Sequence, residues 1–490
     1  MTQPRVELEG RLHPLAVLVI ARRFLGASIL PVAVLLLSAG TKVLVPTLVV
    51  GLLVGVPLAI LSWWRFRYRV DGRRLELQSG VLNRSVRTIP LDRVRGVIVT
   101  APFLHRLLGL VRVEVEAAAG GGSQAELSLA AVSREEAETL REALLVGDRG
   151  EREEAAGPEP LYRATPGLLA LGGITDMRYL LAPAAVVGVV FNLADDLPGG
   201  IVERIADAAA DRAPTDAAGI ALAAAAGIAL VLVAAAAGSL LVDWAFTLRD
   251  DGETLTADRG LLTRRVVLID RDRIRGADVR DSPLRRPLRL ASVTAIAAGL
   301  RRRTHGTVLA PVLRTDAVAP LLQAVDSDAP APHGPLDRHP PVARARRLVR
   351  ALAVPLALLV VSVLLAPPWA VAGAVILVAL ALILALDRYR QLGHAFNGRR
   401  LALREGSLRR RWSELDPEGV VSFELSSSPG QRRAGVCTLT LHLGQGAGSR
   451  RALDVGAGQA SALLGAVWPQ HFEQLLVPVE GPAATEEPAR

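Results

Sequence analysis

At 490 residues the chain is long enough for three or four domains, and 51% hydrophobic residues with only 4% aromatic ones describe a membrane protein better than one large soluble core. The net charge is +9 and Lys42 is the only lysine, so arginine supplies the other 56 cations, a bias that reads as genome composition. A phosphate-binding P-loop and a Schiff-base enzyme both need a lysine, and one placed between two apolar runs suits neither. Cys437 stands alone, so the chain carries no disulfide framework of its own and no cysteine metal cluster; it reads as a small strand residue on the cytoplasmic side of a membrane.

Residues 1–63 combine a basic lead ending in Arg22-Arg23 with an apolar stretch, Phe24 to Leu61, whose only charge is Lys42. Its 38 residues at about 1.5 Å each give about 57 Å of helix, close to two crossings of a ~30 Å hydrocarbon core. A helical hairpin turning near Gly40 to Lys42 is expected. A cleaved signal peptide, with Ser38-Ala39-Gly40 near the cut, is the alternative, and the second apolar run that follows at once argues against it.

Residues 64–148 form the most regular stretch. After Tyr68-Arg69-Val70-Asp71-Gly72 the chain alternates, with Leu75, Leu77, Val81, Val86 and Ile89 on one side and mostly Arg, Glu, Gln and Ser between. A period of two over short runs means strands with one buried face. Gly72, Gly80 and Asn83 stand at the breaks, where hairpin turns fall. Ser133-Arg134-Glu135-Glu136 is a capping box, opening a helix that turns Ala137, Leu140 and Leu144 inward. The order Ile89-Pro90-Leu91-Asp92-Arg93-Val94-Arg95-Gly96-Val97, then Pro102-Phe103-Leu104-His105-Arg106-Leu107-Leu108-Gly109-Leu110, resembles the bacterial pleckstrin-homology-like (PH-like) domain of the YdbT-like family of membrane proteins. The resemblance implies a bent antiparallel sheet closed by a C-terminal helix.

Residues 149–243 hold a charged linker, an apolar run from Tyr179 to Ala194, a connector with net charge −4 and an uncharged run from Ala217 to Val242. A second copy of the strand block follows in residues 244–325. Gly260, Asp272, Arg273, Arg275 and Gly276 lie 180 residues after Gly80, Asp92, Arg93, Arg95 and Gly96, an offset that marks a repeat. The Gly109 position is taken by Arg289, a departure from the pattern. Residues 326–386 combine a Pro-rich linker with a third uncharged stretch, Ala351 to Leu386, expected to turn at Pro367-Pro368-Trp369. The third copy, residues 387–477, is the most divergent: Gly406 and Pro429 lie 146 residues after Gly260 and Pro283, but Gln431-Arg432-Arg433-Ala434-Gly435 replaces the Leu-Leu-Gly-Leu part. Residues 478–490 read as a disordered tail.

The expected fold is thus about six transmembrane helices in three hairpins carrying three β-rich PH-like domains. Arg22, Arg23, Arg65, Arg67, Arg178, Arg249, Arg346, Arg350, Arg388 and Arg390 crowd one side of the apolar runs. The positive-inside rule then puts the N- and C-termini and all three strand domains in the cytoplasm of a multi-pass plasma-membrane protein. Each pair of runs is led in by a proline, at Pro14, Pro166 and Pro341. These leads read either as amphipathic helices in the interface or as ordinary topogenic flanks.

No chemistry emerges. The eight histidines show no paired metal-ligand spacing, and His105, in the Pro102 to Gly109 turn, reads as a surface residue. Gly120-Gly121-Gly122-Ser123 and Gly444-Gln445-Gly446-Ala447-Gly448 read as hairpin loops, not phosphate loops. The apolar runs lack the intramembrane carboxylates of a proton-coupled transporter. Asp92 and Asp272, each followed by Arg-Val/Ile-Arg-Gly, suit turn capping and pairing with the next arginines. No catalytic, cofactor or metal residue is assigned, and no nucleic-acid partner is expected. Arg73, Arg74, Arg84, Arg87, Arg93 and Arg95 are the candidate contacts to anionic lipid or a protein partner. The expected function is a non-enzymatic scaffold or interaction module, and the resemblance implies a role in envelope maintenance or stress defence, in homo- or hetero-oligomers that include a smaller membrane protein with one PH-like domain. Export or flipping of a small amphiphile and anionic-lipid sensing are the alternatives.

Overall fold

The computed structural model describes residues 7–19, 41–71, 73–80, 84–91, 94–117, 126–144, 159–183, 207, 211, 214, 216–297, 307–326, 334–444 and 448–470. In the first copy the elements are β1 (Glu7–Gly10), α1 (Thr41–Arg65), β2 (Arg67–Asp71), β3 (Arg74–Ser79), β4 (Ser85–Pro90), β5 (Val94–Ala101), α2 (Phe103–Leu107), β6 (Leu110–Ala117), β7 (Glu126–Ser133) and α3 (Arg134–Leu144). The second has β8 (Tyr162–Arg163), α4 (Pro166–Thr175), α5 (Ala217–Asp243), β9 (Thr247–Asp250), β10 (Thr254–Arg259), β11 (Arg264–Asp270), β12 (Ile274–Asp281), β13 (Leu290–Ala297), β14 (Val308–Arg314) and α6 (Val318–Val325). The third has α7 (Pro341–Leu365), α8 (Pro368–Arg390), β15 (Gly393–Phe396), β16 (Leu401–Glu405), β17 (Arg410–Leu415), β18 (Val420–Ser426), α9 (Pro429–Arg433), β19 (Val436–Leu443), β20 (Ser449–Gly456) and α10 (Ala457–Val467). Two compact units result, Met1–Ile274 with Asp281–Val325 and Gln445–Ala447, and Arg275–Arg280 with Asp326–Gly444 and Gly448–Arg490.

In the first unit the alternation produces what it predicts: Tyr68, Val70, Leu75 and Leu77 are buried while the residues between them face out. They meet Val97, Val113, Val115, Leu127 and Leu129 in one core, each such side chain contributing about 1.5–3 kcal/mol. Val86 departs from the expected inward set. The register sets it opposite Gln78, so it points outward and is 54% exposed, whereas Ile89, opposite Leu75, stays with the core. The capping box forms, Ser133 N donating to Glu136 Oε2 at 3.2 Å and Glu136 N to Ser133 Oγ at 3.1 Å, and α3 buries Ala137 and Leu140; the Leu144 side chain lies outside the description.

The copies do not close as three independent sheets. β1–β4 form one antiparallel sheet, and the second sheet of the first unit runs β7-β6-β5-β11-β10-β9-β8, so β5 of the first copy pairs with β11 of the second. In the second unit β12 lies beside β17, followed by β16 and β15, while β18-β19-β20 form a separate sheet.

Among the described residues three helices, α5, α7 and α8, are long and apolar enough to cross a membrane. The expected turn at Pro367 is present, between α7 and α8, which pack on each other. Of the rest of the six-helix expectation, α1 is a 25-residue helix, while residues 24–40, 184–194 and most of the acidic connector lie outside the described residues, as do Gly72, Val81, Asn83, residues 120–123, residues 327–333 of the Pro-rich linker and residues 478–490. The first two leads begin as added strands, β1 pairing with β2 and β8 with β9, and in the third a single bridge joins Asp337 to His394 in β15. In the second pair α4 follows, uncharged, with Gly172 and Gly173 buried in its packed face. In the third, the Arg344–Arg350 lead and the apolar run are one helix, α7. An aspartate at the end of α5 and one near the end of α8 tie these helices to the strands that follow: Arg259 Nη1 lies 2.7 Å from Asp243 Oδ1, both buried, and Arg410 Nη2 lies 2.7 Å from Asp387 Oδ1.

The repeat is also written in the backbone. Gly80, Gly260 and Gly406 turn into β4, β11 and β17 with φ of 108°, 110° and 95°, a region that favours glycine. A Cβ on Gly260 or Gly406 would strike the carbonyl oxygen of Thr263 or Arg409. Gly109, Arg289 and Gly435 precede β6, β13 and β19 with φ of 68°, 51° and 65°. Arg289 therefore keeps the conformation its sequence abandons, and the divergent third copy keeps it too.

Candidate functional site

Several strands end a sheet among the described residues, and two of these edges, β4 and β18, are exposed along much of their length. β4 has β3 on one side and no strand on the other, and β18 likewise has only β19. Their exposure follows from that. In β4, Val86, Arg87 and Thr88 are exposed, whereas the corresponding residues of β11 and β17 become buried from Val267 and Trp412 onward. In β18, Val421, Ser422, Glu424, Leu425 and Ser426 are exposed, whereas Gly276 to Val279 of β12 are all buried. An edge offers a row of unsatisfied N–H and C=O groups, so each is a template for an incoming strand.

The candidate arginines gather at the first edge. Arg73 and Arg74 are exposed at the start of β3, Arg74 Nε lying 3.7 Å from Asp71 and 3.6 Å from Glu76. Arg84 is exposed just before β4 and donates to Gln78 Oε1 at 3.4 Å, and Arg87 is exposed on β4 itself. Arg93 and Asp92 lie outside the described residues; Arg95 is a β5 residue whose side chain is not described. In the second copy the corresponding arginines make structural contacts. Arg273 pairs with Asp270 at 3.0 Å and donates to Val94 O at 2.6 Å. Arg275 pairs with Asp416 at 3.3 Å.

His105 is a correction: it is 2% exposed, because α2 folds onto β7 and brings Nε2 to 2.9 Å from Ala130 O. Sequence reasoning also missed two buried polar clusters in the second unit. Asp278 accepts from Ser413 Oγ at 2.6 Å and from Arg450 Nε and Nη2 at 3.0 and 2.9 Å, with Arg280 also paired to it. Burial alone would raise its pKa; Arg450, Arg280, Arg411 and the Ser413 hydroxyl outweigh burial and bring it to about 2. His339 Nδ1 lies 2.9 Å from Leu453 O and its Nε2 lies 3.3 Å from His394 Nδ1. Burial, then the neighbouring imidazole, lowers His339 to about 4, so the pair is neutral and fits structure better than acid–base work.

The repeat agrees with the comparisons. The model of the bacterial PH domain matches residues 20–146, 190–328 and 349–466. The UPF0699 transmembrane protein YdbT of Bacillus subtilis (strain 168) is 24% identical over 367 residues, 71% of this chain and 73% of that protein. No solved structure matches. With three matches that together take in more than half of its length, the chain is a YdbT-like membrane protein and belongs to the bacterial PH domain family.

Proposed function

We propose that the chain is a non-enzymatic scaffold of the plasma membrane, with six helices in three hairpins holding three cytoplasmic PH-like domains whose open strand edges dock protein partners in the envelope. The observation that carries this reading is the pair of edges β4 and β18, each lacking a strand on one side. The arginines flanking the apolar helices support the orientation. Docking by strand addition needs no pocket, and domains tethered in one plane raise the effective concentration for assembly.

The test is affinity purification of the tagged full-length protein from mild-detergent membranes with mass spectrometry. A stoichiometric protein partner, a second copy or a smaller membrane protein with one such domain, is the expected result. Recovery of a monomer with bound lipid would overturn docking. A second reading, sensing of anionic lipid, draws on the exposed Arg73, Arg74, Arg84 and Arg87 around one hairpin. It requires salt-dependent binding of the full chain to anionic lipid beyond the annular shell, lost when these arginines become glutamine.

A further inference from the structure

The same joint occurs twice inside the chain. In the first unit β5 accepts β11 with Val266 opposite Val99 and Val267 opposite Ile98. In the second unit β12 lies beside β17, and Ser413 Oγ reaches Asp278 Oδ1 at 2.6 Å. Stepping Val267 forward by the 146-residue offset gives Ser413, and stepping Ile98 forward by the 180-residue offset gives Asp278, so both joints share one register. Each joins the strand that follows the Asp-Arg turn of one copy to the strand that precedes that turn's equivalent in the next, β5 to β11 and β12 to β17.

That rule leaves two strands over. β18 takes the place of β5 and β12 in the last copy and β4 takes the place of β11 and β17 in the first, and neither has a strand on its other side among the described residues. The same offsets carry Asp278 to Glu424 on β18, and Val267 back to Arg87 on β4. The facing pair is thus apolar at the first joint, hydroxyl with carboxylate at the second, and carboxylate with guanidinium for the two leftover strands. Glu424 is 61% exposed, with His442 at 3.5 Å beside it. Leu425, which the register sets opposite Val86, is 46% exposed, and Val86 is 54% exposed. The shared register thus sets opposite charges on the two edges across from each other.

We infer that the protein assembles head to tail, β18 of one molecule adding to β4 of a second copy in the register of the internal joints. This rests on the docking reading above and names its partner. One internal joint repeated between molecules gives a heterologous contact, which propagates into rings or open chains.

The test uses the full-length protein in mild detergent, followed by sedimentation velocity across concentration. Wild-type protein shows concentration-dependent oligomers. Arg87→Glu and Glu424→Arg each weaken self-association about tenfold or more by setting like charges opposite each other. The chain carrying both changes recovers assembly, and so does an equimolar mixture of the two single variants, as alternating copies, because one variant then carries acid on both edges and the other base on both. As a geometric readout, Val86→Cys and Leu425→Cys chains, each in a Cys437→Ser background, form a disulfide-linked heterodimer on oxidation, and Val86→Cys with Val421→Cys does not. Equal cross-linking of both pairs, or assembly unchanged by the charge reversals, overturns the inference. A wild-type monomer that carries a different protein on these edges overturns self-assembly and leaves docking standing; a monomer with no protein partner overturns both.

Discussion

Asp278 and Ser413 lie on neighbouring strands contributed by consecutive copies of the repeat, joined by a 2.6 Å hydrogen bond in a site from which solvent is excluded. Arg450 approaches the same carboxylate with two nitrogens, at 3.0 and 2.9 Å, and is itself 3% exposed. Removing the acid leaves a buried guanidinium without its counter-charge. Asp278→Ala is expected to cost the second unit about 3–5 kcal/mol. Limited proteolysis of the full chain should show β15–β20 cleaved first, and an unchanged profile would contradict the assignment. Asp278 also titrates below its ordinary value, so its contribution is present above pH about 4 and is lost as pH falls toward 2.

Arg289 holds φ of 51°, the conformation glycine supplies at Gly109 and Gly435. Its side chain is exposed, and the neighbouring bonds are backbone ones: Arg289 N to Arg286 O at 3.0 Å and Thr315 N to Arg289 O at 2.8 Å. Arg289→Gly keeps both and relieves a left-handed conformation that costs an L-residue about 1–2 kcal/mol. After the greater unfolded-state entropy of glycine, a gain of up to about 1 kcal/mol is expected as a raised unfolding temperature. A loss of stability would show that the arginine side chain contributes there.

Much of this architecture was legible in the sequence, and the boundary of legibility is physical. The Ser133–Glu136 capping box, the glycines at 80, 260 and 406 and the Pro367 turn are signals in which one residue type does what few others can. Arg289 shows the limit of that logic, since its left-handed conformation survives the loss of glycine. His105 was misread because a helix of five residues gives too few turns to show a buried face, so its cover by β7 is a tertiary fact. Which copy's strand lies beside β5 was not legible at all. Ladder bonds are made by backbone, and alternation reports only which face is buried, not whose strand is the neighbour. The candidate arginines were found by clustering; that Arg87 stands on an open edge became visible only from the sheet order.

Glu414 is 2% exposed on β17, where burial and then Asp326 raise its pKa to about 8, against Arg400. The folded state therefore favours the protonated acid, and the sign is opposite to that of Asp278. Its contribution is full below pH about 4.5, where the unfolded chain also holds the proton, and is lost as pH rises toward 8. Glu414→Gln should flatten this slope and stabilise the second unit at pH 8 by about 1–3 kcal/mol. Unfolding followed by the buried Trp412 two residues away reports it, and an unchanged slope would place the titration elsewhere.

His339 and His394 set the acid limit of the same unit. His339 Nδ1–H donates to Leu453 O at 2.9 Å, which leaves Nε2 to accept from His394 Nδ1 at 3.3 Å; a proton on both rings would destroy that bond. Burial first, and then His394, lowers His339 from 6.5 to about 4, and burial also lowers His394. Because the folded values lie below the unfolded ones, the neutral pair contributes fully above pH about 6.5 and the contribution is lost as pH falls toward 4. The lead segment is held to the third domain by this contact, by Tyr389 Oη donating to His339 O at 3.0 Å and by Gln459 Nε2 donating to Arg338 O at 3.0 Å. Protonation should therefore release residues 334–340 before the domain unfolds, seen as faster amide exchange at Asp337 and His394 at pH 5 than at pH 7.5 after correction for intrinsic rates. His394→Gln keeps a side-chain donor for Nε2 and removes one titrating ring, so it should reduce the pH dependence while leaving the pH 7.5 protection close to wild type. Equal protection of the wild-type segment at both pH values would contradict the assignment.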